Sequence, residues 1–362
     1  MVDVTPEDLR AAVAAGRIDE ATAAGLAAFA AERQGFRAAL AEEDEPFEFF
    51  RGFGEIFVSV GLVLLLGAVH AFGMLVGGGG GAWFASNGTT AAIVAGMAFL
   101  LALYFTRRRR MSLPSIVLAG IFAIEACFAI AAVVDAVADW SGGDAAPAMA
   151  VALIGGLAML CYYRVFRLPF ALAPLGLYAA GFLIAAAYVV TPGSEDAFEF
   201  GTFDIAEAPT FSIAVLIFGV GAFLVAMRFD MQDPHRLGRK SAAAFWLHIL
   251  AAPAIVNTVC LSLYNLGGPL GYASSAAAFL LVALLALLVD RRSFLMAGVV
   301  YAGLVIAAAV EAAGGVEFTS VATVGILGAG ITFLGARWTA ARRALLSALP
   351  AGAAIRDRLP PA

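Results

Sequence analysis

The sequence contains little charge and little cysteine. Charged residues make up 14% of its 362 residues, whereas soluble domains contain about 25%. Its three cysteines form no Cys-x-x-Cys pair, which excludes a zinc ribbon and a disulfide framework. The net charge of −5 has the wrong sign for a basic surface that binds nucleic acid. This composition excludes a soluble globular enzyme and a nucleic-acid-binding protein.

Motifs for soluble catalysis are also missing. The chain has no Gly-x-Ser-x-Gly elbow, no phosphate-binding loop and no dinucleotide-binding glycine motif. Its three histidines form no His-x-x-x-His or His-Glu-x-x-His pattern, so we expect no metal site. We predict no cofactor, and we rank catalysis below transport.

Apolar residues are abundant: they make up 62% of the chain, and its mean hydropathy is +0.92. Ten apolar stretches are each about long enough to cross roughly 30 Å of hydrocarbon. They lie at approximately 54–76, 89–106, 112–137, 146–163, 169–190, 210–227, 242–263, 270–289, 294–311 and 318–336. We therefore predict an all-α integral membrane bundle of about ten transmembrane helices.

The basic residues predict how the chain is threaded. All 22 lie in the terminal regions or in alternate connections, for example Arg107 to Arg110 after the second stretch. The other five connections contain no bases, and their charged residues, such as Asp139, Glu195 and Glu317, are all acids. The positive-inside rule then places both termini in the cytoplasm. Lys240 is the sole lysine, and this preference for arginine indicates a bacterial chain and hence a bacterial inner membrane.

The predicted domains are an N-terminal hairpin with an acidic linker (1–46), the membrane domain (47–337) and a C-terminal helix and tail (338–362). In the hairpin, Pro6 suits the first helical position, Gly16 ends the first helix, and Asp19 caps a second helix from about 20 to 42. In the C-terminal helix, Arg342 and Arg343 lie opposite apolar residues. We expect that helix on the inner membrane surface.

Four polar residues within the apolar stretches are candidate site residues. Glu125 lies near the middle of the third stretch, His70 and Asn257 toward the outer side, and His248 toward the inner side. An ionisable group at a helix centre costs roughly 2.5–3.5 kcal/mol to insert, so each is a functional candidate. Glu125 is either a proton or cation site or a hydrogen-bonded packing residue. We expect His70 and Asn257 around it.

A second candidate site is the cytoplasmic loop that precedes the seventh stretch. Asp230, Asp233, His235 and Arg236 are crowded there, and Pro253 interrupts the following apolar stretch. This segment is either a gate or binding helix, or a charged loop followed by a kinked packing helix.

Two segments carry a family resemblance. Residues 9–34, LRAAVAAGRIDEATAAGLAAFAAERQ, are followed by FEFFRGFGEIFVSVGLVLLLGAV at 47–69. This pattern resembles bacterial polytopic membrane proteins of the domain-of-unknown-function class that begin with a helical hairpin. The run RFDMQDPHR with FWLHILAAP after it is similar to a segment of such proteins. The resemblance implies a multi-pass topology, and it implies no activity and no catalytic residues.

Two functions remain open. The first is a membrane protein that moves or senses a small solute, a proton or a cation; ten helices can form two inverted halves of five, as in secondary transporters. The second is a membrane scaffold or regulator whose hairpin binds a cytoplasmic protein or a second copy of itself. The only other predicted partner is the lipid bilayer.

Overall fold

The computed structural model describes residues 6–19, 22–23, 26, 53–76, 83–138, 140, 144–191, 203–233, 239–312 and 319–348. Every regular element in those ranges is helical. The helices are α1 (Pro6–Ala14), α2 (Phe53–Val76), α3 (Trp83–Ala102), α4 (Ser112–Ala138), α5 (Ala145–Phe166), α6 (Leu172–Val190), α7 (Pro209–Gln232), α8 (Arg239–Asn265), α9 (Gly268–Val289), α10 (Ser293–Ala312), α11 (Thr319–Ala336) and α12 (Trp338–Ala348). A π-helical segment, Leu103–Arg108, continues α3, and a 3₁₀ turn, Pro169–Ala171, precedes α6.

Eight of the described helices, α2 to α9, are long and apolar enough to cross a membrane. Many of their large apolar side chains face outward; Phe57 is 76% exposed and Leu75 81% exposed. Surfaces of this kind are unfavourable in water and suit a lipid environment. The chain is therefore an all-helical, multi-pass membrane protein. Helices α10 and α11 occupy the last two predicted spans, and the total of ten crossings stays a prediction.

Helix α8 lies at the centre of the bundle and packs against α6, α7, α9 and α10. One apolar core joins the four helices α2, α3, α4 and α5. In it, aromatic rings contact one another in tilted and edge-to-face arrangements: Phe99, Phe122, Tyr162 and Phe166. A second core joins α8, α9, α10 and α12 around Val256. The fold therefore has two packing centres, and α6 to α8 connect them.

The N-terminal hairpin is described only in part. Helix α1 ends where Gly16 adopts a positive φ of 64° and Arg17 donates its amide hydrogen to the Ala12 carbonyl, which is a Schellman ending. The Asp19 carboxylate accepts a hydrogen bond of 2.7 Å from the Thr22 amide, and hydrogen bonds from Thr22 lower the pKa of Asp19. The helix ending at Gly16 and the Asp19 cap hydrogen bond are thus present, and the hairpin stays a prediction. Most of the second helix lies outside the described residues.

Helix α12 corrects one expectation about the C-terminal segment. Trp338, Arg342 and Leu346 are all buried, whereas Arg343 is exposed. The Arg342 Nε donates to the Leu287 carbonyl at 3.1 Å, at the end of α9. Burial lowers the pKa of Arg342, and the nearby Asp290 opposes that shift. The two arginines do not share a polar face, because one of them caps α9.

Candidate functional site

Glu125 and His70 form a pair between two helices. The His70 Nδ1 on α2 lies 3.0 Å from the Glu125 Oε2 on α4. Either atom can hold the shared proton, because a neutral imidazole nitrogen accepts from a protonated carboxyl and a protonated one donates to a carboxylate. Among the described residues, neither side chain has another hydrogen-bond partner.

A second acid sets the alignment of these helices. Glu55, near the start of α2, accepts hydrogen bonds from the Ser112 and Leu113 amides, which are the unpaired first amides of α4. The starts of α2 and α4 are therefore adjacent, and the two helices run parallel. The rise from Glu55 to His70, and from Ser112 to Glu125, is in each case about 20 Å. The Glu125–His70 pair thus lies well inside the hydrocarbon thickness of about 30 Å.

Asn257 is not part of this pair. It lies half-buried on α8, one turn after Pro253, and it has no hydrogen bond to any described residue. Helix α8 continues through Pro253 from Arg239 to Asn265 without a break. No hydrogen bond joins Asn257 to Glu125 in the described part of the chain.

The other polar centre is a buried charge cluster, which we define as Asp230, His248 and Arg291. The His248 Nε2 lies 2.9 Å from the Asp230 Oδ2, and the Arg291 Nε donates to the same oxygen at 3.2 Å. The Arg291 Nη2 also donates to the Asp230 Oδ1 and, at 3.0 Å, to the Ser241 carbonyl. The cluster therefore joins α7, α8 and the short connection between α9 and α10.

Aromatic rings enclose the buried charge cluster. The rings of Phe223 and Phe294 each contact the His248 ring edge-to-face, with centroids 5.7 Å apart. The side chains of His248 and Asp230 are 0% and 3% exposed, whereas those of His70 and Glu125 are 27% and 12% exposed. The Asp230–His248 contact is therefore fully buried, whereas the Glu125–His70 contact lies partly at the surface of the helix bundle.

The sequence assigned the members of the buried charge cluster to separate places. His248 was expected as an intramembrane residue and Asp230 as part of a cytoplasmic loop site, but Asp230 lies on α7 and contacts His248 directly. Asp233 accepts a hydrogen bond from the Ser241 amide at 3.3 Å. His235 and Arg236 lie outside the described residues. The structure therefore divides the predicted loop site, and part of it becomes a helix-packing centre.

Arg291 and Glu55 were not among the predicted site residues. Arg291 was assigned to a connection as one of the basic residues that orient the chain, and only three-dimensional packing shows its contact with Asp230, 61 residues away. A signal existed for Glu55, because an acid at the start of an apolar helix requires a partner. The described residues contain no group of three or more His, Cys, Asp or Glu side chains placed to hold a metal ion.

No protein-family model, curated protein sequence or solved structure matches this chain.

Proposed function

We propose that this membrane protein moves or senses a proton, a cation or a small solute coupled to one of them, and that Glu125 and His70 are the groups that bind the proton or cation. A bacterial inner membrane, with both termini in the cytoplasm, is part of the proposal. It is supported by one observation above all: an acid and a histidine lie 3.0 Å apart, about 20 Å along two parallel membrane helices. Intramembrane ionisable residues that pair with one another are typical of proton and ion pathways.

The surroundings of the pair favour this function over a purely structural role. In the buried charge cluster, Arg291 neutralises the charge of Asp230, and the rings of Phe223 and Phe294 pack against His248. No third charged residue among those described is bonded to Glu125 or His70, and both side chains are partly exposed. The described residues supply no cation that would hold Glu125 as a carboxylate, so the proton that the pair shares can reside on either group.

The main test compares proton movement in liposomes that contain wild-type protein or Glu125→Gln. A potassium diffusion gradient with valinomycin sets the membrane potential, and an internal pH dye reports proton entry. We expect wild-type protein to conduct protons, and the Gln variant to lose this activity while keeping its thermal stability in detergent. The amide preserves the size and hydrogen bonding of the neutral acid but cannot release a proton.

Glu55→Gln is the matched control, because Glu55 is an acid on the same pair of helices that caps α4. We expect this variant to lose stability while its proton movement per folded molecule stays at the wild-type level. If Glu125→Gln conducts protons fully, or if wild-type protein conducts none, the proposal that Glu125 and His70 move protons is wrong. A packing role for Glu125 instead predicts that Glu125→Ala lowers stability and that Glu125→Gln has no effect.

A scaffold or regulator role, in which the N-terminal hairpin binds a cytoplasmic protein or a second copy, stays a second proposal. It is supported by one apolar side chain in the segment predicted to form the hairpin, Leu26, which is 47% exposed. Deleting residues 1–45 tests it. The scaffold proposal requires that insertion into the membrane is retained and that a co-purifying partner or an oligomer is lost; unchanged complexes would contradict it.

A further inference from the structure

A basic cavity lies at one end of the bundle, and its lining residues Phe229 and Lys240 are chain neighbours of Asp230 and Ser241 at the buried charge cluster. It has a volume of about 310 Å³ and is lined by residues from the end of α5, the 3₁₀ turn, the end of α7 and the start of α8. Four of the lining side chains are cationic: Arg164, Arg167, Arg239 and Lys240. We call this site the basic pocket. No carboxylate is among the described residues that line it.

The charges of the basic pocket are partly uncommitted. Arg164 and Lys240 are exposed and form no hydrogen bond or ion pair with any described residue. Arg167 and Arg239 take part in other interactions, so Arg164 and Lys240 are the charges that are available to a ligand. Like charges held together repel one another, and an anion bound between them relieves that repulsion.

The position of the basic pocket suits a ligand at the membrane boundary. It forms where α5 and α7 end and α8 begins, so it lies at the boundary whichever way the protein is oriented. Tyr163 and Phe229 add apolar wall next to the charges, as aromatic residues do at the headgroup level. A volume of about 310 Å³ is at the lower end of the range for small-molecule sites, roughly 300–1,000 Å³.

We propose that the basic pocket binds a phosphate-bearing anion, and that the phosphate belongs to the headgroup of an anionic membrane lipid. Arginine recognises phosphate through two parallel hydrogen bonds, and lysine contributes a point charge. Basic pockets between membrane helices near the surface bind anionic lipid headgroups in this way. A soluble phosphate compound has the same chemistry, and the experiment below separates the two sources. This inference is independent of the function proposed for Glu125 and His70.

Binding is measured by titrating the detergent-solubilised full chain with three probes: short-chain phosphatidylglycerol, short-chain phosphatidylcholine and inorganic phosphate. The test variant is Arg164→Gln with Lys240→Gln. The matched control is Arg107→Gln with Arg108→Gln, which removes two exposed charges from another helix end. We expect wild-type protein and the control to prefer phosphatidylglycerol. The test variant should bind it about thirty-fold more weakly, which corresponds to about 2 kcal/mol for two basic residues near a membrane surface.

A second variant keeps the test valid if the double variant does not fold. Arg167 adopts a positive φ of 47° at the end of α5, a conformation that glycine adopts without strain. Arg167→Gly should therefore fold, because the relieved backbone conformation offsets the contacts that Arg167 loses, and should weaken phosphatidylglycerol binding about five-fold. Competition by inorganic phosphate at low concentration would support the pocket as an anion site but assign it to a soluble ligand. Equal phosphatidylglycerol affinity in wild-type protein and in both pocket variants would overturn the proposal.

Discussion

Two histidine–carboxylate contacts of nearly equal length have different surroundings in this protein. The His70–Glu125 distance is 3.0 Å and the His248–Asp230 distance is 2.9 Å. In the second contact, Arg291 provides a positive charge for the Asp230 carboxylate, and aromatic rings pack against His248. Asp230 is therefore held as a buried, paired carboxylate. A buried carboxylate of this kind holds helices together, whereas the proton shared by His70 and Glu125 can reside on either group.

Removing Asp230 should be among the most damaging single changes in the chain. In Asp230→Leu, Arg291 stays buried without a counter-charge, and we expect the free energy of unfolding to fall by about 3–5 kcal/mol. In the double variant Asp230→Leu with Arg291→Leu, the loss should be smaller, because no uncompensated charge remains. Reversible unfolding in mixed micelles measures both values. An equal loss in the single and double variants would contradict this account of the cluster.

At the scale of the helices, polar groups at helix ends determine how elements dock. Glu55 satisfies the first amides of α4, and Arg342 satisfies a carbonyl at the end of α9. Helix α12 makes a second hydrogen bond to this end of α9: the Trp338 Nε1 donates to the Asp290 Oδ1 at 2.6 Å. Helix ends carry backbone groups without intrahelical partners, and in an apolar environment each needs a partner from elsewhere in the chain.

Two adjacent arginines on α12 should therefore respond differently to the same substitution. Arg342→Gln removes a buried donor from the Leu287 carbonyl, and we expect it to cost about 1–3 kcal/mol of stability. Arg343→Gln changes an exposed side chain and should stay within about 0.5 kcal/mol of the wild-type value. Thermal unfolding in detergent, followed by intrinsic fluorescence, measures both variants. If the two variants lose equal stability, α12 is not anchored through Arg342.

For the molecule as a whole, the helices of the two halves pair differently. Two halves of five spans would be α2–α6 and α7–α11, so that α2 corresponds to α7 and α3 to α8. In the first half, the first helix, α2, packs against both α3 and α4. In the second half it is the second helix, α8, that packs against both α9 and α10. In two inverted copies of one unit, corresponding helices would make the same contacts. The contacts therefore argue against an inverted five-plus-five arrangement, and a transport mechanism here would need movement around α8 instead of rocking of two equal halves.

The threading of the whole chain is testable with reporters that are active only outside the cytoplasm. The distribution of basic residues predicts activity for a fusion at Ala197, which lies in an acidic connection, and none for a fusion at Gly238, which lies in a basic one. Alkaline phosphatase activity in intact cells, normalised to the amount of fusion protein, is the measurement. Activity at Gly238, or inactivity at Ala197, would reverse or break the proposed topology.

Much of the fold could be predicted from the sequence, and less of the candidate site. The predicted stretches at 112–137 and 270–289 correspond to the helices Ser112–Ala138 and Gly268–Val289. Glu125 and His70 were expected to lie close together and do so. Asn257 was expected beside them and does not bond to either residue. The difference has a physical reason: depth in the membrane follows from position along an apolar run, but the direction in which a side chain points follows from how neighbouring helices rotate and pack.

The sequence by itself determined that the chain forms a multi-pass bundle of apolar helices, because a run of about 20 apolar residues is a local property that lipid converts into a helix. It also determined which few ionisable groups would be costly inside that bundle. Only the tertiary structure decided how those groups are compensated. Asp230 and Arg291 are 61 residues apart, and no local pattern links them. Their contact exists because α7, α9 and α10 all pack against α8, which brings the α9–α10 connection next to Asp230. An ion in an apolar interior needs such a partner.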